Sequence, residues 1–168
     1  MTEIKLNKSE VAFVDDDMAN EINKNKWAIL KGGKDKSYVY AVRRKRVGGK
    51  REHILMHRQI MGLKKGDNFD IDHINHNGLD NRKCNLRVCS RSQNQHNRKS
   101  SINSSSIYKG VSWDKDRSMW RATIADNSTD FQLGRYLTEI EAAEAYNRKA
   151  IELFGEFAFL NNLPKKGS

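Results

Sequence analysis

Proline is almost missing from this chain: Pro164 is the single one among 168 residues. Segment ends must therefore be read from glycine, serine and asparagine. Cysteine is scarce as well. Cys84 and Cys89 make one Cys-x4-Cys pair, whereas a structural zinc site usually takes four ligands. A disulfide is uncommon in the cytosol, so both read as reduced thiols. No apolar run approaches the roughly 18 residues of a membrane span, and Met1 to Asn7 lack the apolar stretch of a signal peptide. These absences argue against a disulfide-stapled secreted module, a zinc scaffold and a membrane protein. The expectation is a cytoplasmic protein without membrane contact.

What is abundant is charge. Hydrophobic residues make up 37% of the chain and charged residues 31%, a composition suited to one compact domain or two small ones. The net charge is +10 and the pI about 9.7, which favours a polyanionic partner, nucleic acid first. The surplus is local. Segment 43–66 holds nine basic residues and one acidic, while the rest of the chain is near balance. Arg43, Arg44, Lys45, Arg46, Lys50 and Arg51 form most of it, just ahead of the segment richest in potential chemistry. A solvated loop that merely aids solubility is the competing explanation.

Three segments emerge. In residues 1–50, Val11 to Val14, Trp27 to Leu30 and Tyr38 to Val42 have the β-branched and aromatic content of strands, and Gly48-Gly49 reads as a turn. In 53–98, Leu55 to Met61 reads as a short helix stopped by Gly62, Phe69 to Ile74 alternates as a strand, Asn85 to Cys89 is another strand, and Ser90 can cap a helix to about Arg98. The small polar residues of 99–106 mark a linker. In 107–163, Tyr108 to Trp113, Trp120 to Ala125 and Phe131 to Leu137 read as strands. Thr138-x-x-Glu141 is a capping box, followed by Ala143, Tyr146, Ala150 and Phe154 at helical spacing, with Gly155 at the end. The predicted class is α+β.

Chemistry concentrates in Asp70-Ile71-Asp72-His73-Ile74-Asn75, Asp80-Asn81-Arg82-Lys83-Cys84-Asn85-Leu86-Arg87 and Ser92-Gln93-Asn94-Gln95-His96-Asn97. Phosphodiester hydrolysis needs a base for the attacking water and a cation for the developing charge. Histidine suits the first task; carboxylate and amide oxygens suit Mg²⁺ or Mn²⁺. Alternation on a strand turns Asp72 and His73 to opposite sides, so one could hold metal while the other faces water. An Asp-His pair alone is more often a surface ion pair. The Asn-Leu-Arg strand and Gln-Asn helix that follow sharpen the signal.

This pattern resembles the HNH endonucleases, most closely the phage and intron-encoded homing type. Met56-His57-Arg58-Gln59-Ile60-Met61 looks like the helix leading in. Asp72-His73-Ile74-Asn75 with Gly78 to Arg82 looks like the first half of the motif, and Asn85-Leu86-Arg87 with Gln93-Asn94 like the second. The resemblance implies a strand–strand–helix (ββα-metal) nuclease domain over 1–98, with its catalytic motif in 53–98. His73 would be the general base, Asp72 and Asn94 the ligands of a divalent Mg²⁺ or Mn²⁺, and Asn85 the residue that holds the loop and orients His73. Many family members carry histidine at the position of Asn94, so His96 and Asn97 stay open as that ligand. His57 on an apolar helix reads as a packed core histidine. Arg82 and Arg87 are candidate phosphate contacts.

The third segment resembles the DNA-binding domain of the plant ethylene-response factors. It does so through Tyr108-Lys109-Gly110-Val111, Trp120 to Ile124, Gln132 to Tyr136 and Glu141 to Asn147. That implies a three-stranded sheet, backed by a helix, that enters the major groove. Periodicity puts Trp120, Ala122 and Ile124 against the helix and Arg121 and Thr123 outward. Lys109, Trp113, Lys115, Arg117 and Arg135 are candidates to join them. The resulting expectation is a monomeric, metal-dependent endonuclease of a phage-infected or bacterial cell. It would nick double-stranded DNA, grip the backbone with Arg43, Arg44, Arg46, Lys50 and Arg51, and choose sites through its C-terminal domain. The alternative is a non-catalytic DNA-binding regulator.

Overall fold

The computed structural model describes residues 1–32, 38–97, 104–126 and 129–164. The chain forms two compact units, Met1–Arg91 and Ser92–Ser168. The division falls ahead of the expected linker, of which residues 99–103 lie outside the described set, as does Arg98.

In the first unit, β1 (Thr2–Lys5) pairs antiparallel with β2 (Val11–Val14), and α1 (Asp16–Asn23) follows. Neither β1 nor α1 is predicted from the sequence. Strands β3 (Ala28–Gly32), β4 (Tyr38–Val47) and β5 (Lys50–Leu55) form an antiparallel sheet in that order. Here the structure departs from the solvated loop: the basic run is strand. Val47 faces Lys50 across a two-residue turn in which Gly48 and Gly49 have φ of 55° and 79°. Positive φ at both positions is what a tight hairpin turn matched to strand twist requires. Helix α2 (Met56–Ile60) follows, ended by Gly62 at φ 72°. Then come β6 (Asp70–His73) and β7 (Leu86–Cys89), paired antiparallel. Asn85 stands in a 3-10 turn just before β7 rather than in the strand itself.

One core unites these pieces. Ile4, Val14, Ile22, Trp27, Met56, Ile71 and Leu86 are all buried in a single cluster. Burial of such side chains stabilises a fold by about 1.5–3 kcal/mol each. Loop 74–85 is also stitched to β2: Phe13 N–H donates to the Leu79 carbonyl at 2.8 Å, and Asn81 N–H to the Phe13 carbonyl at 2.7 Å.

In the second unit, α3 (Arg91–His96) begins at the boundary. Strands β8 (Val111–Asp114), β9 (Met119–Asp126) and β10 (Thr129–Tyr136) form an antiparallel sheet with β9 central. Helix α4 (Glu139–Phe154) opens with the predicted capping box, both reciprocal bonds being made between Thr138 and Glu141. Its Ala142, Ala143, Tyr146 and Ala150 are buried against Val111, Ala122 and Ile124. Asn161 ties down the C-terminal segment through four hydrogen bonds with Lys109 and Asn147, at 2.7 to 3.1 Å. Residues 92–96 belong with this unit for a physical reason: the His96 ring stacks on Phe154 at 3.8 Å, and Lys109 Nζ donates to the His96 carbonyl at 2.6 Å. No helix among the described residues is long and apolar enough to cross a membrane.

Gly110 has φ of 75°, and a Cβ there would run into the Tyr146 ring and the Thr123 carbonyl. Gly110→Ala combines backbone strain with overpacking. The expected outcome is a loss of about 2–4 kcal/mol in the second unit, read by denaturant unfolding followed through Trp113 and Trp120 fluorescence. An unchanged midpoint would contradict the packing described.

Candidate active site

Antiparallel pairing of β6 with β7 sets the site. Alternation puts Ile71 and His73 on the core face and Asp70 and Asp72 on the other. In register, Asp72 stands opposite Arg87 and His73 opposite Leu86. Asp72 Oδ2 accepts from Arg87 Nε at 2.8 Å and from Nη2 at 2.6 Å. The two residues diverge as the sequence alternation predicts, but neither faces water: Asp72 is 6% exposed and His73 5%. Nucleotide access therefore has to be gained past buried groups. The cause is that the β6 face carrying His73 is the face that packs Ile71 into the core.

His73 lies among rings. Tyr40 stacks on it at 5.7 Å between centroids, with 26° between planes, and His57 meets it edge-on at 5.0 Å and 87°. Ring pairs of this kind contribute about 0.5–1.5 kcal/mol each beyond area burial. His73 Nε2 is buried without a hydrogen-bond partner, as are His57 Nδ1 and Asn81 Oδ1. Burial pushes the His73 imidazole below its ordinary pKa, opposed by the Asn81 side chain and the Asp72 and Asp80 carboxylates. A lowered value keeps the ring neutral, the form a proton acceptor needs. His57 is pushed down to about 3, by burial first and then by His73 and Arg58. Burial raises the Tyr40 phenol, which stays protonated. His57 thus is a core histidine, as its sequence context suggests, yet it packs directly on the candidate base.

Asn85 is the hub of the loop that follows. Its Oδ1 accepts from Asn75 N–H at 3.0 Å, its Nδ2 donates to the Asp80 carbonyl at 2.8 Å, and its own carbonyl accepts from Ile74 N–H at 3.0 Å. Asn75 Nδ2 in turn donates to Asp80 Oδ2 at 2.8 Å. Asp80 is clamped by Arg82 Nε and Nη2 at 2.7 and 2.6 Å, which holds its carboxyl below the usual carboxylate range. Two expected phosphate contacts have partners inside the protein. Arg82 and Arg87 are committed to internal carboxylates, because each lies opposite or next to an acid on the same small hairpin.

Asp72, His73 and Asn85 come together in the first unit. Asn94 is half-buried on α3 and belongs to the second unit. The alternatives are placed too. His96 is held against Phe154 and lies 3.6 Å from Asp126, and Asn97 is buried. No cluster of three or more His, Cys, Asp or Glu that could hold a metal lies among the described residues. The donor chemistry is still compatible with a hard cation: a buried, arginine-oriented carboxylate and an amide fit Mg²⁺, which takes few protein oxygens and keeps water.

The proposed DNA contacts divide by strand register. On the β4–β5 hairpin, Arg44 faces His53 and Arg46 faces Arg51, so all four share one side. Arg44, Arg46, Lys50 and Arg51 are exposed. Arg43 is on the other side and is structural: its Nε donates to Gln59 Oε1 at 2.8 Å and its guanidinium lies over Trp27 at 5.8 Å. In the second unit Ser112, Arg121 and Arg135 line up across β8, β9 and β10. Arg135 also bonds Asp114 at 2.8 Å, with Arg117 3.7 Å from the same carboxylate. Trp113 stands opposite Trp120, with ring centroids 5.1 Å apart, and shares the helix side rather than the Arg121 side while remaining exposed. The Lys109 ammonium donates to the His96 carbonyl and lies over Phe159 at 5.3 Å. Lys115 and Arg117 are exposed in the turn before β9. Tyr40 is the residue that sequence reasoning missed. Its approach to His73 spans 33 positions of chain, and no local pattern signals it.

Residues 53–96 match the HNH endonuclease family model. An uncharacterized HNH endonuclease of Acanthamoeba polyphaga mimivirus is 31% identical over 156 residues, covering 93% of this chain and 77% of the relative. Protein 3.8 of Escherichia phage T7 is 36% identical over 110 residues, covering 64% of this chain and 88% of that protein. No solved structure gives a significant match. The chain belongs to the HNH endonuclease family and is a nuclease. Such enzymes generally use a divalent metal ion and act on DNA.

The neutral burial of His57 has a thermodynamic consequence. The unfolded state takes up a proton below about pH 6.5, the folded state only near pH 3. Between those values unfolding is favoured as pH falls, by up to about 1.4 kcal/mol per pH unit from this group. Urea unfolding at pH 7 and pH 5 should show wild type losing more stability than His57→Phe. Equal losses would show that His57 titrates normally.

Proposed function

We propose that this nuclease is a metal-dependent endonuclease of the homing type that nicks one strand of duplex DNA and acts as a monomer. The observation that carries this reading is the buried, neutral His73 with its Nε2 unpartnered, next in chain to an arginine-held carboxylate. His73 Nε2 takes a proton from the attacking water as its oxygen bonds to phosphorus and the bond from phosphorus to the leaving sugar oxygen breaks, that oxygen departing with one strand end. Asp72 and Asn94 would hold Mg²⁺ or Mn²⁺ in the ββα-metal manner that the family resemblance implies. When bound, the ion supplies positive charge at the phosphate and the leaving oxygen. Arg87 keeps the Asp72 carboxylate oriented, and Asn85 fixes the backbone immediately after His73.

Affinity would come from the exposed side of the β4–β5 hairpin, through Arg44, Arg46 and Arg51 with Lys50 at its tip. Site choice would come from the second unit, read as a domain like those of the ethylene-response factors. Support for that reading is a three-stranded sheet on one helix, with Arg121 and Arg135 adjacent across the strands and turned away from the helix. Base edges in the major groove are the groups such arginines recognise. Coupling of the two units in one chain suits a phage-type element that cuts at a chosen site.

Plasmid cleavage with Mg²⁺ or Mn²⁺ tests the assignment. His73→Ala should lower the cleavage rate by about 10²–10⁴-fold, and nicked circles should precede linear DNA. Undiminished cleavage by the variant would remove His73 as base. Linear product at first turnover from a monomer would refute nicking. In binding assays, Arg44→Ala, Arg46→Ala and Arg51→Ala combined should reduce the salt slope by about 0.9 for each phosphate that is no longer neutralised. Arg43→Ala should leave that slope alone, and a matching fall there would contradict the division between the hairpin's two sides.

A further inference from the structure

The three rings around His73 form a closed triangle. Tyr40 and His57 meet edge-on at 5.0 Å and 70°, and each also touches His73, the first by its face and the second at right angles. Tyr38 stacks behind Tyr40 at 5.3 Å. Gly78 also lies close against Tyr40. A Cβ at Gly78 would strike the Val39 carbonyl and come within 2.6 Å of the Tyr40 ring. Gly78 lies in the very loop that leaves His73 and is braced by Asn85. The Tyr40 ring thus packs against both β4's own neighbour and the loop.

A histidine that abstracts a proton must present one chosen nitrogen within hydrogen-bond reach of the water. Its χ2 torsion is intrinsically broad, so an unsupported ring would swing Nε2 away from the reacting position. Hydrogen bonding of the remote nitrogen is one way to prevent this. A face contact and an edge contact at right angles are another, because together they define both the plane and the tilt of the ring. His73 Nε2 is buried and makes no hydrogen bond of good geometry, so beside the neighbouring Asn81 side chain ring packing is what restrains the imidazole.

We propose that Tyr40 and His57 are positioning residues of this nuclease: their rings hold the His73 imidazole in the orientation that presents Nε2 to the attacking water. The proposal rests on His73 being the base. Ring shape, not the phenol hydroxyl or the second imidazole's nitrogens, is what acts. A purely structural role for the two residues would lower stability and leave the rate of correctly folded protein unchanged.

The test uses the full chain with Mn²⁺ and a nicked-product assay at saturating DNA. Tyr40→Phe and His57→Phe keep a ring and should hold kcat within about 3-fold, whereas Tyr40→Leu and His57→Leu should lower it about 10–100-fold with DNA affinity unchanged. Equal activity in ring-bearing and ringless variants would overturn the proposal. So would a loss confined to Kd, or loss in Tyr40→Phe as deep as in Tyr40→Leu. Should the leucine variants fail to fold, imidazole NMR of the wild type and the phenylalanine variants decides. His73 ring protons should lie upfield of those of exposed His53 in wild type and remain so in Tyr40→Phe. His73 signals at the His53 position would overturn the stacking argument. Cleavage by His73→Ala separates the two failures: full activity there sinks the assignment of the base, while the NMR result still reports on the ring triangle.

Discussion

Everything at the candidate site follows from the register in which β6 pairs with β7. With Asp72 opposite Arg87, the carboxylate is compensated and aimed by two hydrogen bonds to one oxygen. With His73 opposite Leu86, the imidazole is committed to the core side. A slip of one residue would exchange the faces. The imidazole would lose its ring neighbours, and the acid would be driven among Ile71's partners without its guanidinium. An unpaired buried carboxylate is strongly unfavourable, so the ion pair that orients the acid also defends the register.

The loop between the two strands is the second half of the same device. It returns the chain from His73 to Leu86 through a hydrogen-bonded set of Asn75, Asn77, Asp80, Arg82 and Asn85. Short amide and carboxylate side chains can substitute for backbone partners in a turn, which explains why the motif is so rich in Asn and Asp. Within this set the structural roles differ. Asp80 and Arg82 form the charged clasp that shuts the loop, and Asn81, fully buried, fastens it to β2 through its backbone. Reading each polar residue of a catalytic motif as catalytic would miss this division of labour.

What is legible in the sequence is whatever local chemistry dictates. The Thr138–Glu141 capping box, the Gly48-Gly49 hairpin turn, the alternation of β9 and the strand character of 70–73 are each readable from a handful of neighbouring residues. Illegible are the features set by distant partners. Alternation says that Asp72 and His73 diverge, but not that both directions are covered. Trp113 carries the right aromatic character for an exposed contact, yet its place opposite Trp120 turns it to the helix side. Lys109 and Arg43 look like free cations because their acceptors, the His96 carbonyl and Gln59, lie 13 and 16 residues away in the chain. Helix α1 escapes a sequence reading since it is only eight residues long and buries just Ala19 and Ile22.

Charge illustrates the same limit from the opposite side. Composition makes segment 43–66 a diffuse positive stretch, but strand geometry sorts it. Arg44, Arg46 and Arg51 stand together, opposed across the two strands, while Arg43 is withdrawn to Gln59 and Trp27 and Lys65 is spent on Glu52 at 3.1 Å. Like charges directly opposite one another are unfavourable in an isolated hairpin. At Arg46 and Arg51 the hairpin carries such a pair, a feature in keeping with the polyanion contact proposed above. Along β4 the side that carries Arg44 and Arg46 also carries Tyr40, whose ring lies on His73. One strand face therefore joins the positive surface to the imidazole, and a phosphodiester backbone drawn to the first would be led toward the second.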